Sequence, residues 1–327
     1  MSHVKRGTFF CIITFMTLTF FTNSLIFFLS FLFIWFGSGL IIKNVSRFSR
    51  LLRISSFSIS FFLLGFLTSI PELTVGVNAI FDNKPEIFVG NLIGGIMVIF
   101  SFIIPLLAII NRSISLRYNL ENKNLIIVLL YLLLPLTFIA DQKLNLIEAI
   151  FLVFYYFVIF YLLEKKQTLL EKITSQLTNH KKAFFIDIVK IAIGVVIVII
   201  SSHFIVEKAL FFSSFFNVSP FFVGLLIISI GTNLPELSLV IRSFKEKKQE
   251  IAFGDYLGSA TANIFILGLL AILNQSTIVI PDHFYRYAIF IALALILFYI
   301  FIRSENKLSA KEGLILFFLY CFYLMFE

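Results

Sequence analysis

The chain has 327 residues, 60% of them hydrophobic and only 13% charged, with a formal net charge of +8 and a mean hydropathy of +1.02. So few charges do not solvate the surface of a soluble domain of this size. The apolar residues come in runs long enough to cross about 30 Å of hydrocarbon as helices, not in the short alternating segments of a β-barrel.

Residues 1–23 form an N-terminal apolar segment in which 8–21 follow Lys5 and Arg6. About fifteen helical residues reach only about 22 Å, so the segment reads either as signal-like or as an eleventh, short span. Ten spans are then predicted near 24–43, 55–81, 87–111, 124–140, 145–163, 184–206, 218–243, 251–273, 285–302 and 309–326. The loops after odd-numbered spans are basic: Lys43, Arg47, Arg50 and Arg53; Arg112, Arg117 and Lys123; Lys165, Lys166, Lys172, Lys181 and Lys182; Arg242, Lys245, Lys247 and Lys248; Arg303, Lys307 and Lys311. Those after even spans hold only Lys84, Lys143, Lys208 and Arg286. The odd loops are therefore expected to be cytoplasmic, in a multi-pass protein of the cell (inner) membrane. The basic surplus marks orientation and an anionic-lipid surface rather than nucleic-acid binding. The 164–183 linker is too short for a folded regulatory domain.

Cys11 and Cys321 lie in separate apolar segments, and His3, His180, His203 and His283 form no spaced cluster, so neither a disulfide nor a zinc site is expected. No HExxH, GxSxG or catalytic Asp pair is present, which excludes the familiar intramembrane enzymes and implies no cofactor. The 44 phenylalanines read as lipid-soluble filler.

Shifted by 164 residues, the chain aligns with itself without a gap: 68–94 (TSIPELTVGVNAIFDNKPEIFVGNLIG) meets 232–258 (TNLPELSLVIRSFKEKKQEIAFGDYLG). The identities include Thr68/Thr232, Pro71/Pro235, Glu72/Glu236, Glu86/Glu250, Gly90/Gly254 and Gly94/Gly258, with Ser38/Ser202, Ile41/Ile205 and Ser55/Ser219 upstream. Apolar bias does not explain identities on Pro, Glu and Gly. Each copy holds five spans, an odd number, so the second enters the membrane from the opposite side. The expected fold is an all-α polytopic protein of ten helices (eleven with residues 8–21) in two inverted five-helix repeats, 24–163 and 184–327, the architecture of secondary transporters.

Pro71–Glu72 and Pro235–Glu236 fall inside spans two and seven. Proline removes a backbone N–H, so carbonyls near 67–68 and 231–232 lose helical partners. In lipid such carbonyls need a cavity or a ligand, and an intramembrane Glu costs a few kcal/mol. Two matched glutamates with Thr68, Ser69, Thr232 and Asn233 beside them make an oxygen-rich centre of the kind Ca²⁺ prefers. Asn91 and Asp255, one turn into spans three and eight, read equally as helix-start residues or as part of an ion path. Glu86 and Glu250 read as helix-dipole partners, and Gly90, Gly94, Gly95, Gly254 and Gly258 as close helix contacts.

On these residues the chain resembles the sodium/calcium exchanger (cation/Ca²⁺ antiporter) family, whose two α-repeats read approximately G-T-S-x-P-E and then G-N/D-x-x-G-S. Here they are FLTSIPEL (66–73) with GNLIGG (90–95), and GTNLPEL (231–237) with GDYLGSATAN (254–263). The resemblance implies exchange of Ca²⁺ for Na⁺ by alternating access, with spans one and six sliding against the rest. It implies Ca²⁺ ligation by Glu72 and Glu236 with the Thr68 and Thr232 carbonyls, and Na⁺ sites at Ser69 and Ser259. Several positions depart from the pattern. Leu67 replaces a Gly, Asn233 a Ser, and Gly95 the Ser that Ser259 retains; Ile99 stands at a usually polar position matched by Asn263. The altered oxygens are mostly those tied to Na⁺. That leaves a Ca²⁺/H⁺ exchanger, or a transport-inactive scaffold or cation sensor, as alternatives.

Overall fold

In a computed structural model of the chain, the described residues are 18–37, 39–40, 43–44, 61–62, 65–115, 122–164, 181–234, 236–237, 249–281, 284–305 and 307–325. Pro235, Cys11, Ser38, Ile41, Ser55, His3, His180, His283 and the basic loops within 45–53, 116–121, 165–180 and 238–248 lie outside them.

The helices are α1 (Leu18–Gly37), α2 (Gly65–Thr68), α3 (Ile70–Phe81), α4 (Glu86–Ile110), α5 (Asn122–Phe138), α6 (Leu146–Glu164), α7 (Lys181–Phe216), α8 (Pro220–Thr232), α9 (Gln249–Asn274), α10 (Phe284–Glu305) and α11 (Ala310–Met325). Among the described residues seven helices are long and apolar enough to cross a membrane, and Ile70–Phe81 and Pro220–Thr232 are shorter apolar helices. Large apolar side chains such as Phe28 and Phe36 on α1, Phe154 and Phe157 on α6, and Val196 and Ile200 on α7 stay exposed, an outer face suited to lipid. At the centre, every residue of α4 from Ile87 to Met97 is buried, as is every residue of α9 from Phe253 to Asn263. α9 packs against α2, α3, α4, α5 and α6, and α4 packs against α8 and α11.

Several boundaries differ from those the apolar runs predict. α1 includes Leu18–Phe21, so these residues are continuous with the first helix. The polar pair that interrupts the run satisfies itself within the helix: Thr22 Oγ1 donates to the Leu18 carbonyl (3.0 Å) and Asn23 Nδ2 to that of Thr19 (2.8 Å). α7 has 36 residues, about 54 Å of helix. It includes Lys181–Ala183 of the expected 164–183 linker and runs past 206 through Glu207 and Lys208, which pair with each other at 2.7 Å. Cys321 is a free, half-buried thiol.

Two short antiparallel ribbons were not expected in an all-helical chain. β1 (Ser113–Ser115) pairs with β4 (Lys307–Ser309), and β2 (Lys143–Leu144) pairs with β3 (Ile278–Val279). The registers correspond at the 164-residue offset: Ile114 faces Leu308, and Ile278 faces Leu144. The helix starts that follow correspond as well. At α6, Asn145 N–H donates to Glu148 Oε2 (2.9 Å) and Glu148 N–H to Asn145 Oδ1 (3.1 Å). At α11, Ser309 N–H donates to Glu312 Oε2 (2.8 Å) and Glu312 N–H to Ser309 Oγ (3.4 Å). Each is a capping box that satisfies otherwise orphaned helix-start donors.

Candidate cation site

Two helix breaks position the glutamates. Between α2 and α3 the chain turns at Ser69 (φ −83°, ψ 6°); after α8 it turns at Asn233 (φ −87°, ψ 7°). Both breaks are bridged in the same way. Ser69 N–H donates to the Gly65 carbonyl and Leu73 N–H to that of Ser69; Asn233 N–H donates to the Ser229 carbonyl and Leu237 N–H to that of Asn233. Pro71 stands at the start of α3, where its missing N–H costs least, so it opens a new helix rather than kinking a continuous one. Glu72 follows in the first turn. π-helical turns, which often mark functional positions, occupy Val223–Ile228 before the second break and Val98–Ile103 in α4.

The central helices close the site. Thr68 Oγ1 donates to Asp255 Oδ1 (3.4 Å), and Thr232 Oγ1 to Asn91 Oδ1 (3.1 Å). Asn91 and Asp255 thus face the helix breaks instead of serving only as helix-start residues. Main chains come close enough for this because Gly94 and Gly258 lack side chains: a Cβ would collide with the Leu225 carbonyl in the first case and the Phe61 carbonyl in the second. Gly95 differs from the close-contact role expected of it. A Cβ there would meet the Asn233 and Asn263 amide nitrogens, each at 3.1 Å.

Glu72, Glu236, Thr68, Thr232, Ser69, Asn91, Asp255, Ser259 and Asn263 have no exposed surface, and Asn233 has 1%. The site is occluded. Ser69 and Ser259 share a hydrogen bond between hydroxyls (3.2 Å), and Ser259 Oγ donates to Glu236 Oε1 (3.0 Å). Neither Glu72 oxygen has a hydrogen-bond partner among the described residues, and the position corresponding to Ser259 is Gly95. Among the described residues both Glu72 oxygens, Glu236 Oε2, Asp255 Oδ2, Asn233 Oδ1 and both polar side-chain atoms of Asn263 are buried without a hydrogen-bond partner. Orphaned oxygens at this density are costly unless a cation or protons meet them. Among the described residues no three His, Cys, Asp or Glu side chains are grouped to hold a metal by themselves. A cation here would therefore need hydroxyl, amide and main-chain oxygens beside the carboxylates, a hard-ion ligand set.

Glu86 lies outside this centre, 4.0 Å from Lys84 at the start of α4. The side chain of Glu250 is outside the described residues. Sequence reading missed that Ser229 anchors Asn233, its main-chain carbonyl accepting from Asn233 Nδ2 at 2.8 Å.

The sodium/calcium exchanger protein family model matches residues 22–163 and again 186–327. A sodium/calcium exchanger of Methanosarcina acetivorans, MaX1, is 24% identical, with 93% of this chain and 97% of the relative covered. The inner membrane protein YrbG of Escherichia coli is 25% identical over 64% of this chain and 67% of its own length. Among solved structures, the sodium-calcium exchanger NCX_Mj soaked with Na⁺ and Sr²⁺ superposes with a TM-score of 0.67 at 20% identity, covering 93% of this chain and 98% of that one.

Proposed function

Because this multi-pass membrane protein belongs to the sodium/calcium exchanger family, we propose that it exchanges Ca²⁺, or a similar divalent cation, for a monovalent cation by alternating access. The observation that carries the reading is the pair Glu72 and Glu236, fully buried at two equivalent helix breaks with carboxylate oxygens left unpartnered. Two carboxylates neutralise one divalent ion. Without it, both ionised in a low-dielectric site, they repel strongly, which disfavours an unloaded crossing. Thr68, Thr232, Ser69, Asn233, Ser259, Asn263, Asp255 and Asn91 complete the oxygen set. The reading includes two inverted five-helix repeats, 24–163 and 184–327, joined by the linker 164–183, with α1 and α7 sliding against the rest. It places the protein in the cell (inner) membrane with the odd-numbered loops cytoplasmic.

The counter-ion is read as Na⁺, with H⁺ as the second reading that a specific feature favours. Gly95 and Ile99 stand where the second half has Ser259 and Asn263, and Asn233 stands where the first half has Ser69, so several oxygens tied to Na⁺ are missing or altered. Vesicles containing the purified protein, given ⁴⁵Ca²⁺ under an imposed Na⁺ or proton gradient, separate these. Flux driven by either gradient and lost in Glu72→Gln and Glu236→Gln supports antiport. Ca²⁺ binding with no gradient-driven flux points instead to a sensor, and flux unchanged in both variants rejects the site.

A further inference from the structure

Beside the second helix break, the Phe31 ring of α1 occupies the space that a Cβ on Gly231 would take. Phe31 is 7% exposed. Its ring meets Phe27 edge-on at 4.9 Å, and Phe27 meets Phe212 of α7 at 5.2 Å. Gly231 immediately precedes Thr232 and Asn233. The ring therefore lies against bare main chain at the turn that carries those two candidate ligands.

The positions 164 away reverse the sizes. Phe31 corresponds to Val195 on α7, and Gly231 to Leu67 beside Thr68 and Ser69. Leu67 and Val195 both pack on buried Val198. One break is thus braced by a planar ring against no side chain, the other by Leu67, which packs with Val195 around Val198. Withdrawing a buried aromatic ring exposes more apolar area than moving a smaller aliphatic side chain. The braces stand on different helices, Phe31 on α1 and Val195 on α7. These helices cross where Gly37 leaves room for Gly194 and Val198.

We propose that Phe31 is a gating residue. It holds shut the access route past Thr232 and Asn233, Leu67 with Val195 forms the weaker brace on the route past Thr68 and Ser69, and the protein rests biased toward opening on the Leu67 side. This goes beyond the alternating-access reading above and rests on it.

The test uses the full chain in vesicles of known orientation, with Ca²⁺ varied on one face at a time. Apparent affinity scales with the fraction of protein open to that face, so Phe31→Ala is expected to lower KM on one face and raise it on the other, each about threefold or more. Phe31→Leu, the gentler variant should Phe31→Ala fold poorly, shifts both values the same ways by less, and Leu67→Ala shifts them in reverse. A second readout needs no transport. In a chain carrying Cys11→Ser and Cys321→Ser, labelling of Leu67→Cys by a membrane-impermeant maleimide should slow when Phe31→Leu is added. KM values moving together on both faces, or not at all, with labelling unchanged overturn the gate. Slowed labelling in a protein whose unmutated form carries no Ca²⁺ flux supports the gate and rejects the transport reading.

Discussion

The two halves of the site share a backbone and differ in chemistry. Ser69 and Asn233 turn the chain with nearly the same dihedral angles, and Thr68 and Thr232 each reach across to a side chain 164 positions from the other's partner. Yet Glu236 receives a hydroxyl hydrogen bond from Ser259, while both Glu72 oxygens are without a hydrogen-bond partner among the described residues and glycine stands at position 95, the counterpart of Ser259. The fold's symmetry therefore does not extend to its ligands. One carboxylate is preoriented by the protein, and the other depends on what arrives.

The largest test of this contrast removes each charge in turn. Glu72→Gln and Glu236→Gln should each reduce ⁴⁵Ca²⁺ flux by about 100-fold, equivalent to roughly 3 kcal/mol, since either leaves a divalent ion half neutralised. Next come the glycines that both halves need alike. Gly94→Ala and Gly258→Ala should each destabilise the detergent-solubilised protein by about 1–3 kcal/mol, read as a lower Tm; a large effect in one and none in the other would show that the halves differ in packing too.

Ser259→Gly makes the second half copy the first. Losing a hydroxyl donor to a buried carboxylate should weaken Ca²⁺ binding by about tenfold in KM, near 1.4 kcal/mol. The reciprocal Gly95→Ser, whose Cβ must fit 3.1 Å from two amide nitrogens, should increase the Na⁺ dependence of flux if the missing hydroxyl is what disfavours Na⁺. The smallest effect is expected at the capping boxes. Glu148→Ala and Glu312→Ala should each cost about 1 kcal/mol, lowering Tm by similar amounts and leaving the Ca²⁺ KM unchanged.

The centre of the site was legible because its residues contradict their surroundings. Pro71–Glu72 and Pro235–Glu236 in apolar runs are expensive without a purpose, and the 164-residue offset joins them. Helix ends were less legible, because interruptions that look like boundaries are satisfied locally, as Thr22 and Asn23 are by α1 and Glu207 and Lys208 by each other. The ribbons left no pattern to read: strands of two or three residues are too short for an alternation to register. Gly95 was visible only as something missing, and its bearing on Glu72 required knowing that Ser259 reaches Glu236.

The ribbons carry one more consequence. Each joins a strand from the first half to a strand from the second, and the two registers interchange when 164 is added to the earlier numbers and subtracted from the later ones. A chain of half this length, laid head to tail on an identical partner, would form both ribbons from one pair of strands. Each half of the chain therefore supplies one strand to each ribbon, so the halves are stitched together at two corresponding places.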